Sequence, residues 1–251
     1  MQNFEVASKC LLYGASAKLG IYKYEPPVPQ HLAGEVEALK TLIVKIQHDC
    51  EQFGIYADQF VEDEPVYLFE KIHGTQGVFI QHSDGTQQVS SKGLFKKDLC
   101  VKESDHNTYW RAAKNSAIFS VLNDIFPRQE IIAFGEVIPV QSGYNYGLNP
   151  SKPEILVFRI IVNGKEIPFE ELQKLSNKIK YVPLVKQDLF NGERILKIGK
   201  KLKHSILDEN QIAEGIVVSP QFPRQASDGT PLYLKVISDK YAKVEDEEAI
   251  S

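Results

Sequence analysis

The chain has 251 residues, of which 43% are hydrophobic and 25% charged, an ordinary composition for one large globular domain or a domain with an appendage. This composition excludes a collagen-like, disordered or disulfide-stapled chain. The 29 Lys and Arg residues against 33 Asp and Glu give a formal net charge of -4. Any contact with nucleic acid therefore needs a local basic surface.

No apolar run is long enough to predict a membrane span, and the N-terminus lacks the flanks of a signal peptide. The three cysteines form no CxxC pair, which favours free thiols in a reducing compartment. We therefore expect an intracellular protein of the cytoplasm, with the nucleus as an alternative, and no membrane partner.

The first 60 residues differ from the rest of the chain. Ile21–Pro29, IYKYEPPVP, contains three prolines and predicts an extended connector. A peripheral helix is predicted between His31 and Phe53, because apolar residues recur there at helical spacing. Those apolar residues are Leu39, Leu42, Ile43 and Ile46. We assign residues 1–60 to this N-terminal segment.

Beyond Val66, short runs rich in β-branched and aromatic residues alternate with turn clusters, a pattern typical of strands. The predicted strands are 66–71, 77–82, 131–139, 155–162, 214–219 and 232–237. Helical spacing predicts helices at Thr108–Asn123 and Phe169–Ser176. Strands and helices do not alternate regularly enough for a doubly wound parallel sheet, so we predict an α+β fold of mixed or antiparallel sheets flanked by helices. This domain covers residues 61–245, and residues 246–251 form an acidic tail.

Lys71 ends an apolar strand within the segment YLFEKIHGT. Period-two alternation places it on one face with Tyr67 and Phe69, an unusual position for a lysine that only solvates the surface. It is either an edge-strand lysine that discourages aggregation or a functional amine.

Three further ionisable residues occur in apolar strand contexts. They are Glu136 in IIAFGEVIPV, Glu214 in AEGIVVS and Lys235 in LYLKVI. Burial of each charge without a partner would be costly, so the four groups compensate one another, either in a structural ion-pair network or in a functional site. The sequence contains no GxxxxGK[ST], GxGxxG or HExxH, so any nucleotide must be bound in another way.

Five elements follow in order along the chain: K-x-H-G-T, F-G-E, a strand containing phenylalanine, E-G-I-V and L-K-V. This order resembles the covalent nucleotidyltransferase superfamily of polynucleotide ligases and capping enzymes. EKIHGT, with histidine in place of the usual aspartate, is similar to the RNA ligases, particularly the second RNA ligase family and its relatives with an N-terminal OB domain. The IYKYEPPVP connector also resembles the linker of that OB-bearing branch, although the roughly twenty residues before it are too few for a five-stranded barrel.

The resemblance implies a nucleotidyltransferase domain of ATP-grasp-like architecture and a role for each matching residue. Lys71 would attack the α-phosphorus of ATP, release pyrophosphate and carry AMP on its Nζ. Glu136 and Glu214 would serve Mg²⁺ or Mn²⁺, with Glu136 also placed to hold the ribose hydroxyls. Lys235 would contact the α-phosphate, and Phe158 would stack on the adenine. The other implied nucleotide-binding residues are Glu70, Ile72, His73, Gly74, Lys92 and Ile216.

Two positions depart from the pattern of the family. Arg159 stands where relatives often carry an acidic residue, so the resemblance gives it no role. Ile237 stands where many relatives have a second lysine, for which Lys240 is a candidate substitute.

The residue types suit this chemistry. A lysine amine, with an ordinary pKa of ~10.4, is mostly protonated at neutral pH and needs desolvation or nearby positive charge to act as a nucleophile. Lys235 and a divalent cation would supply that charge, and carboxylates are suitable ligands for such an ion. An aromatic face is a common platform for a nucleobase.

We therefore predict an ATP-dependent RNA ligase, active as a monomer, that joins RNA 3′-hydroxyl and 5′-phosphate ends through lysyl-AMP and adenylylated RNA. A capping-type guanylyltransferase or a DNA ligase is the alternative among enzymes, and a nonenzymatic RNA-binding protein is the alternative of another class.

The sequence leaves the roles of two further features open. Trp110 is a core residue or a base-stacking platform, and Lys197–His204 is a phosphate-binding surface or a solvated face.

Overall fold

The computed structural model of the protein describes residues 34–175, 177–227 and 229–250. The chain divides into two units, Met1–Gly34 and Glu35–Ser251. The predicted connector at residues 21–29 and the end of the predicted helix at Ser176 lie outside the described residues. Everything below concerns the second unit.

Twelve strands in the described residues form two sheets. In chain order the strands are β1 (Val36–Ala38), β2 (Glu51–Gln52), β3 (Pro65–Lys71), β4 (Thr75–Gln81), β5 (Gln87–Ser91), β6 (Leu99–Val101), β7 (Ile131–Ile138), β8 (Glu154–Val162), β9 (Lys165–Glu166), β10 (Leu184–Leu189), β11 (Gly215–Pro220) and β12 (Leu234–Ile237). The larger sheet has the order β1-β6-β5-β4-β7-β8-β9 and the smaller β10-β3-β11-β12-β2. Neighbouring strands are antiparallel except for the parallel pair β12 and β2.

Seven α-helices flank these sheets in the same part of the chain. They are α1 (Phe53–Tyr56), α2 (Lys92–Lys96), α3 (Thr108–Asn115), α4 (Ile118–Ile125), α5 (Phe169–Gln173), α6 (Gly192–Lys201) and α7 (Asp239–Ile250). Side-chain oxygens of Ser91, Asn107 and Asn191 cap α2, α3 and α6 by accepting from backbone N–H groups of the first turn. No helix in the described ranges is both long and apolar enough to cross a membrane.

The predicted α+β class is confirmed, and all six predicted strands are present with ends within two residues of those predicted. The prediction of one helix at Thr108–Asn123 is wrong, because α3 and α4 are separated by Ala117 in the left-handed conformation, at φ 47°. Ser116 Oγ accepts from the backbone N–H of Ile155 at 3.0 Å, and Asn115 Nδ2 donates to the Pro153 carbonyl at 2.8 Å. These two hydrogen bonds connect the residues between α3 and α4 to the chain at the start of β8.

The helix predicted between residues 31 and 53 is also wrong over the described positions, where β1 is followed by an irregular segment, residues 39–50. Its backbone N–H groups find distant partners: those of Lys40 and Ile43 donate to the side chains of Gln88 and Glu130 at 2.9 and 2.8 Å. The residues with helical spacing mostly pack on the larger sheet without forming a helix. Those in contact with its apolar cluster are Leu39, Leu42 and Ile46.

Alternation along β3 divides the smaller sheet into two apolar faces. Val66 and Leu68 point to the outer face, where they pack with residues of α6, β11 and β12. Tyr67 and Phe69 point to the inner face and pack with residues of the larger sheet. Lys71, the next residue on the same face as Tyr67 and Phe69, therefore points into the space between the two sheets.

Candidate active site between the two sheets

A cavity lies between the inner faces of the two sheets and receives side chains from both. Lys71 and Lys235 enter it from β3 and β12, and Glu136 and Phe158 from β7 and β8. Lys92, at the start of α2, lines its wall. The structure thus brings most of the predicted site residues into one place, and Ile72 also borders the cavity.

Lys71 is held in place by main-chain pairing of the end of β3 with β11. Lys71 pairs with Gly215 of β11 and therefore lies next to Glu214. Gly215 has φ +152°, and a Cβ there would lie 2.0 Å from the Val236 carbonyl oxygen. Only glycine permits this approach, which brings Glu214 beside the end of β3.

Lys71 and Glu214 form an ion pair, with 2.6 Å between Lys71 Nζ and Glu214 Oε1. The other carboxylate oxygen lies 3.3 Å from His73 Nδ1, which is also 3.0 Å from the Tyr241 hydroxyl. Burial would lower the pKa of Lys71, but the charges of Glu214 and Glu136 outweigh it, so the pKa lies above its ordinary value. Burial would raise the pKa of Glu214, but the bond to His73 and the charge of Lys71 hold that pKa below its ordinary value. In this arrangement Lys71 is protonated.

Glu136 is the second carboxylate beside Lys71. It pairs with Gln76 in β4, and its carboxylate accepts from the backbone N–H of Gly74. Burial raises its pKa to about 7, against the opposing charge of Lys71. A Cβ on Gly74 would lie 2.5 Å from the Val137 carbonyl oxygen, so the turn after Lys71 packs directly on β7. His73 and Gly74 shape the edge of the site without lining the cavity.

The two carboxylates fit a divalent metal ion that arrives with a phosphate ligand. No cluster of three or more His, Cys, Asp or Glu residues suited to a metal occurs in the described part of the chain. Mg²⁺ is commonly held by one or two carboxylates, with waters and substrate phosphates as its remaining ligands. Burial disfavours the ionised form of Glu136, and the charge of such an ion would favour it.

Phe158 projects into the cavity from a β-bulge. Phe134 of β7 pairs with Arg159 and Gly135 pairs with Val157, which leaves Phe158 without a partner on that side. A bulge re-aims the side chain of the extra residue. The ring of Phe158 lies 4.6 Å from that of His48 and is only partly buried. An aromatic face is therefore available in the wall of the cavity.

Sequence reasoning missed residues of the irregular segment and one aromatic residue before β12. His48, Asp49, Cys50 and Tyr233 all line the cavity. His48 is 6% exposed, and burial together with the charge of Arg159 holds its pKa well below the ordinary value. The succession of histidine, aspartate and cysteine in HDC was the one local signal that could have drawn attention to this segment.

The support behind these residues is absent from the sequence motifs but evident in the contacts of Arg159. Arg159 is 4% exposed, and its Nε donates to Glu166 Oε2 at 2.7 Å. Its Nη1 donates to the Gln47 carbonyl at 3.1 Å, and Glu166 accepts from the Tyr233 hydroxyl. Arg159 therefore supports two parts of the cavity wall from behind.

Like His73 and Gly74, Glu214 does not line the cavity, and the side chains of Ile216, Glu70 and Lys240 lie or bind elsewhere. Ile216 is fully buried in the outer apolar face of the smaller sheet, and its neighbour Val217 lines the cavity instead, because successive side chains of β11 alternate. Glu70 borders the cavity, but its Oε2 accepts from the backbone N–H of Ile206 at 2.8 Å. Lys240 is exposed at the start of α7 and does not line the cavity.

Trp110 belongs to the core. It is 5% exposed, and its indole Nε1 donates to the Val101 carbonyl at 3.0 Å. The core interpretation of Trp110 is therefore correct, and its ring is not a platform for a base.

A family model described as RNA ligase matches residues 64–237. The chain belongs to the RNA ligase family. The RNA ligase of Naegleria gruberi, solved with PPi, has a similar fold, with a TM-score of 0.69 and 22% identity over 92% of this chain and 67% of that one. A lysine-to-methionine mutant of that ligase with AMP and Mn gives a TM-score of 0.68, with 21% identity over 91% of this chain and 66% of that one. This RNA ligase domain thus spans about two thirds of the length of those ligases. No curated protein matches the chain.

Proposed function

We propose that this RNA ligase family member is an ATP-dependent ligase that joins RNA 3′-hydroxyl and 5′-phosphate ends through lysyl-AMP and adenylylated RNA. The observation that carries the proposal is Lys71, a lysine at a strand end, 2.6 Å from Glu214 and in a cavity that Phe158 also lines. Residues 61–245 would form most of the catalytic domain, to which the segment before residue 61 adds part of the cavity wall, and the acidic stretch 246–251 would follow it. We expect the protein to act as an intracellular monomer in RNA repair.

In the first step, the lone pair of Lys71 Nζ attacks the α-phosphorus of ATP. A P–N bond forms, the bond to the bridging oxygen of the β-phosphate breaks, and pyrophosphate leaves. Lys71 must first lose its proton, and Glu214 Oε1, 2.6 Å from Nζ, is in position to accept it. Lys235 would lie against the α-phosphate and stabilise the charge that develops there.

Glu136 and Glu214 would hold Mg²⁺ or Mn²⁺. When bound, such an ion supplies positive charge that stabilises the triphosphate and weakens the hold of the carboxylates on the proton of Lys71. The structures of the N. gruberi ligase with AMP or ATP contain Mn, which supports the use of a nucleotide with a divalent metal.

In the second step, an oxygen of the RNA 5′-phosphate attacks the phosphorus of lysyl-AMP. The P–N bond breaks, Lys71 recovers a proton, and AMP is joined to the RNA end through a pyrophosphate linkage. In the third step, the RNA 3′-hydroxyl attacks the 5′-phosphate, a phosphodiester forms, and AMP leaves. Phe158 would stack on the adenine in the first two steps, and the polar residues nearer Lys71 would face the phosphates.

The identity of the labelling nucleotide separates this proposal from its enzymatic alternatives. The protein is incubated with Mg²⁺ or Mn²⁺ and with ATP, GTP or NAD⁺ labelled in the phosphate that would be transferred, and the denatured protein is assayed for label. We expect label from ATP alone. Label from GTP would favour a capping-type guanylyltransferase, and label from NAD⁺ would favour a DNA ligase.

A second assay tests the substrate. Adenylylated protein is given an RNA duplex with a nick between a 3′-hydroxyl and a 5′-phosphate, and a DNA duplex of the same sequence. We expect sealing of the RNA nick and none when the 5′-phosphate is removed. RNA binding with no label from any nucleotide would favour the nonenzymatic alternative.

A further inference from the structure

The loop between β7 and β8, residues 139–153, places an aromatic side chain beside the end of β3. The ring of Tyr144 lies 4.3 Å from the ring of His73, centroid to centroid. His73 in turn contacts Glu214 Oε2, the carboxylate oxygen that is not paired with Lys71. The side chain of His73 therefore links Tyr144 to the ion pair of the candidate active site.

Hydrogen bonds fix this loop to the turn that follows β3. The Tyr146 hydroxyl accepts from the backbone N–H of His73 at 2.8 Å, and Gln141 Nε2 donates to the Gly74 carbonyl at 3.1 Å. Tyr146 is 4% exposed and adopts the left-handed conformation, at φ 50°. A residue other than glycine keeps that conformation only where its surroundings determine it. The position of Tyr144 is therefore set before any ligand arrives.

Tyr144 is only partly buried, unlike Tyr146. Part of its side chain packs on the inner apolar cluster between the two sheets, and its ring lies 5.8 Å from that of Tyr241. The rest of the side chain is accessible to solvent. Neither Tyr144 nor His73 lines the cavity that we assign to ATP. An accessible aromatic surface thus lies next to the reacting groups but outside the nucleotide cavity.

The proposed reaction requires an RNA nucleotide just outside the cavity. In the second step the RNA 5′-phosphate must reach the phosphorus of lysyl-AMP while AMP still occupies the cavity. The nucleoside that carries this phosphate therefore lies near Lys71 but not within the cavity. An unpaired base has a free aromatic face, and proteins commonly bind such a base by stacking it on an aromatic side chain. Tyr144 has the chemistry and the position for that contact.

A groove continues from the same loop towards α3. Gln141 and Gly143 line it from the loop, and Arg111 lines it from the helix. Gly143 is the neighbour of Tyr144, so the groove and the aromatic surface share one stretch of chain. Nη2 of Arg111 donates to the Ser151 carbonyl. Because a carbonyl carries no formal charge, this bond leaves the guanidinium its full positive charge, which suits a phosphate.

We propose that the loop at residues 139–153 and α3 form the subsite for the 5′ end of the RNA. Tyr144 stacks on the base of the nucleotide that carries the 5′-phosphate, and Arg111 binds a backbone phosphate further along the same strand. The inference rests on the proposed function, because it takes RNA with a 5′-phosphate as the substrate. It adds that the terminal base is unpaired, since a base inside a duplex is already stacked on its neighbours.

Removal of the base and of the side chain in turn tests the stacking. The probes are short single-stranded RNAs with a 5′-phosphate: one intact, one with an abasic first nucleotide, and one with an abasic last nucleotide as the matched lesion. Fluorescence anisotropy with Mg²⁺ and without ATP gives their affinities for the wild type, Tyr144→Ala and Tyr144→Phe. Phe222→Ala is the control variant, because Phe222 is 71% exposed and lines neither the cavity nor the groove.

We expect loss of the first base to weaken binding by the wild type about 5- to 100-fold, the range typical of a base stacked on an aromatic side chain. For Tyr144→Ala the same loss should cost no more than about 2-fold, because the stacking partner is already gone. Tyr144→Phe and Phe222→Ala should keep the sensitivity of the wild type, and loss of the last base should have little effect on any of the proteins.

Three results would overturn the stacking. They are a wild type that does not respond to loss of the first base, an equal response in the wild type and Tyr144→Ala, and a larger response to loss of the last base. The first of these needs no variant, so it decides the matter even if Tyr144→Ala does not fold.

Salt dependence tests Arg111. Each phosphate contact on a single strand adds about 0.7 to the slope of log affinity against log salt concentration. The slope should therefore be smaller by about 0.7 for Arg111→Gln. Arg128→Gln should keep the slope of the wild type, because Arg128 is exposed and does not line the groove. An unchanged slope for Arg111→Gln, or an equal fall for Arg128→Gln, would overturn the path of the strand along the groove.

Failure of this inference can be told apart from failure of the proposed function. Affinities for RNA do not require catalysis, whereas labelling by ATP does. A wild type that is labelled by ATP but does not respond to loss of the first base would remove this inference alone. A wild type without label would remove the proposed reaction, whatever the affinities show.

Discussion

Strand β3 and the irregular segment at residues 39–50 both supply walls of the cavity, but different forces hold them. β3 lies between β10 and β11 and is fixed by main-chain pairing with β10 up to Phe69 and with β11 up to Lys71. The irregular segment is held mainly by side chains of other elements: Gln88, Glu130 and Arg159 bind its backbone. Main-chain pairing places Lys71 in a fixed register, whereas we expect the side-chain anchored segment around Asp49 to open at lower cost.

This difference suits a division of labour. A nucleophile must lie at a defined distance from the reacting atom, and a regular sheet provides that precision. A wall that admits substrate must move, and segments with few internal backbone bonds open at lower cost than central strands. The comparison predicts that changes at the end of β3 affect the reaction, whereas changes in the irregular segment affect binding and local stability.

Replacement of Lys71 should have the largest effect. Lys71→Ala removes the only atom that can form the P–N bond in the proposed reaction, so we expect labelling by ATP to fall by at least ~1000-fold. The same loss in Lys71→Arg would show that the amine and not the charge is needed, because guanidinium stays protonated. Labelling is measured on denaturing gels after incubation with ATP labelled at the α-phosphate.

The control for Lys71 is Lys152→Ala, because Lys152 is exposed and does not line the cavity. It should be labelled like the wild type, and circular dichroism should show the Lys71 variants folded. Persisting label in Lys71→Ala would move the nucleophile to another residue.

Replacement of Glu214 should reduce labelling and shift the pKa of Lys71. Glu214→Gln removes the carboxylate 2.6 Å from Lys71 Nζ, so the pKa of Lys71 should fall as burial comes to dominate. Loss of the proton acceptor and of a metal ligand should nevertheless slow labelling by roughly 100-fold. The pH dependence of acylation of Lys71 by a small reagent reports the pKa, and a pKa unchanged by the substitution would contradict the ion pair.

Core substitutions compare the two regions directly. Leu68→Ala in β3 removes a fully buried side chain, and we expect it to lower the free energy of unfolding by about 2–5 kcal/mol. Leu42→Ala in the irregular segment removes a partly buried one and should cost on the order of 1 kcal/mol. Urea titration of both variants gives the two values, and equal losses would show that the segment is as firmly integrated as the sheet.

The pH dependence of stability should distinguish Glu136 from Glu214. The pKa of Glu136 is about 7 in the folded protein, above its ordinary value of 4.5, so the folded state binds the proton more tightly and loses stability as pH rises between these values. The loss is on the order of 3 kcal/mol, at about 1.4 kcal/mol per pKa unit. Glu136→Gln should abolish it, which urea titrations at pH 5 and pH 8 would show.

The sign is opposite for Glu214. Its pKa is lowered in the folded protein, so it adds stability above its ordinary pKa, and this contribution is lost as pH falls. If the stability of the wild type and of Glu136→Gln changed with pH in the same way, Glu136 would not be buried as an ionised group.

The sequence allowed the part of the site carried by strands to be predicted. Alternation identified the inward face of β3, and four charges in apolar strands pointed to a shared location, which is where Lys71, Glu136 and Lys235 meet. The resemblance to a ligase family supplied the roles, and alternation also explains why Ile216 was misplaced: it lies one residue from Val217, on the other face of β11.

The irregular segment could not be predicted in the same way. Apolar residues at helical spacing predicted a helix there, but the backbone partners of Lys40 and Ile43 are side chains 48 and 87 residues away. The spacing of apolar residues within a short stretch of sequence gives no information about partners so distant along the chain. For the same reason the contact of Asp49 with Lys92 and Lys96, and the anchoring of Gln47 by Arg159, emerge only from the three-dimensional arrangement.

Mapping the adduct tests the central claim most directly. The wild type is incubated with ATP and Mg²⁺, digested under alkaline conditions, and its peptides are analysed by mass spectrometry. The account predicts AMP on Lys71 alone, in the peptide that contains YLFEKIHGT, stable to base and released by acid. AMP on Lys92 or Lys235, or no adduct on any lysine, would contradict it.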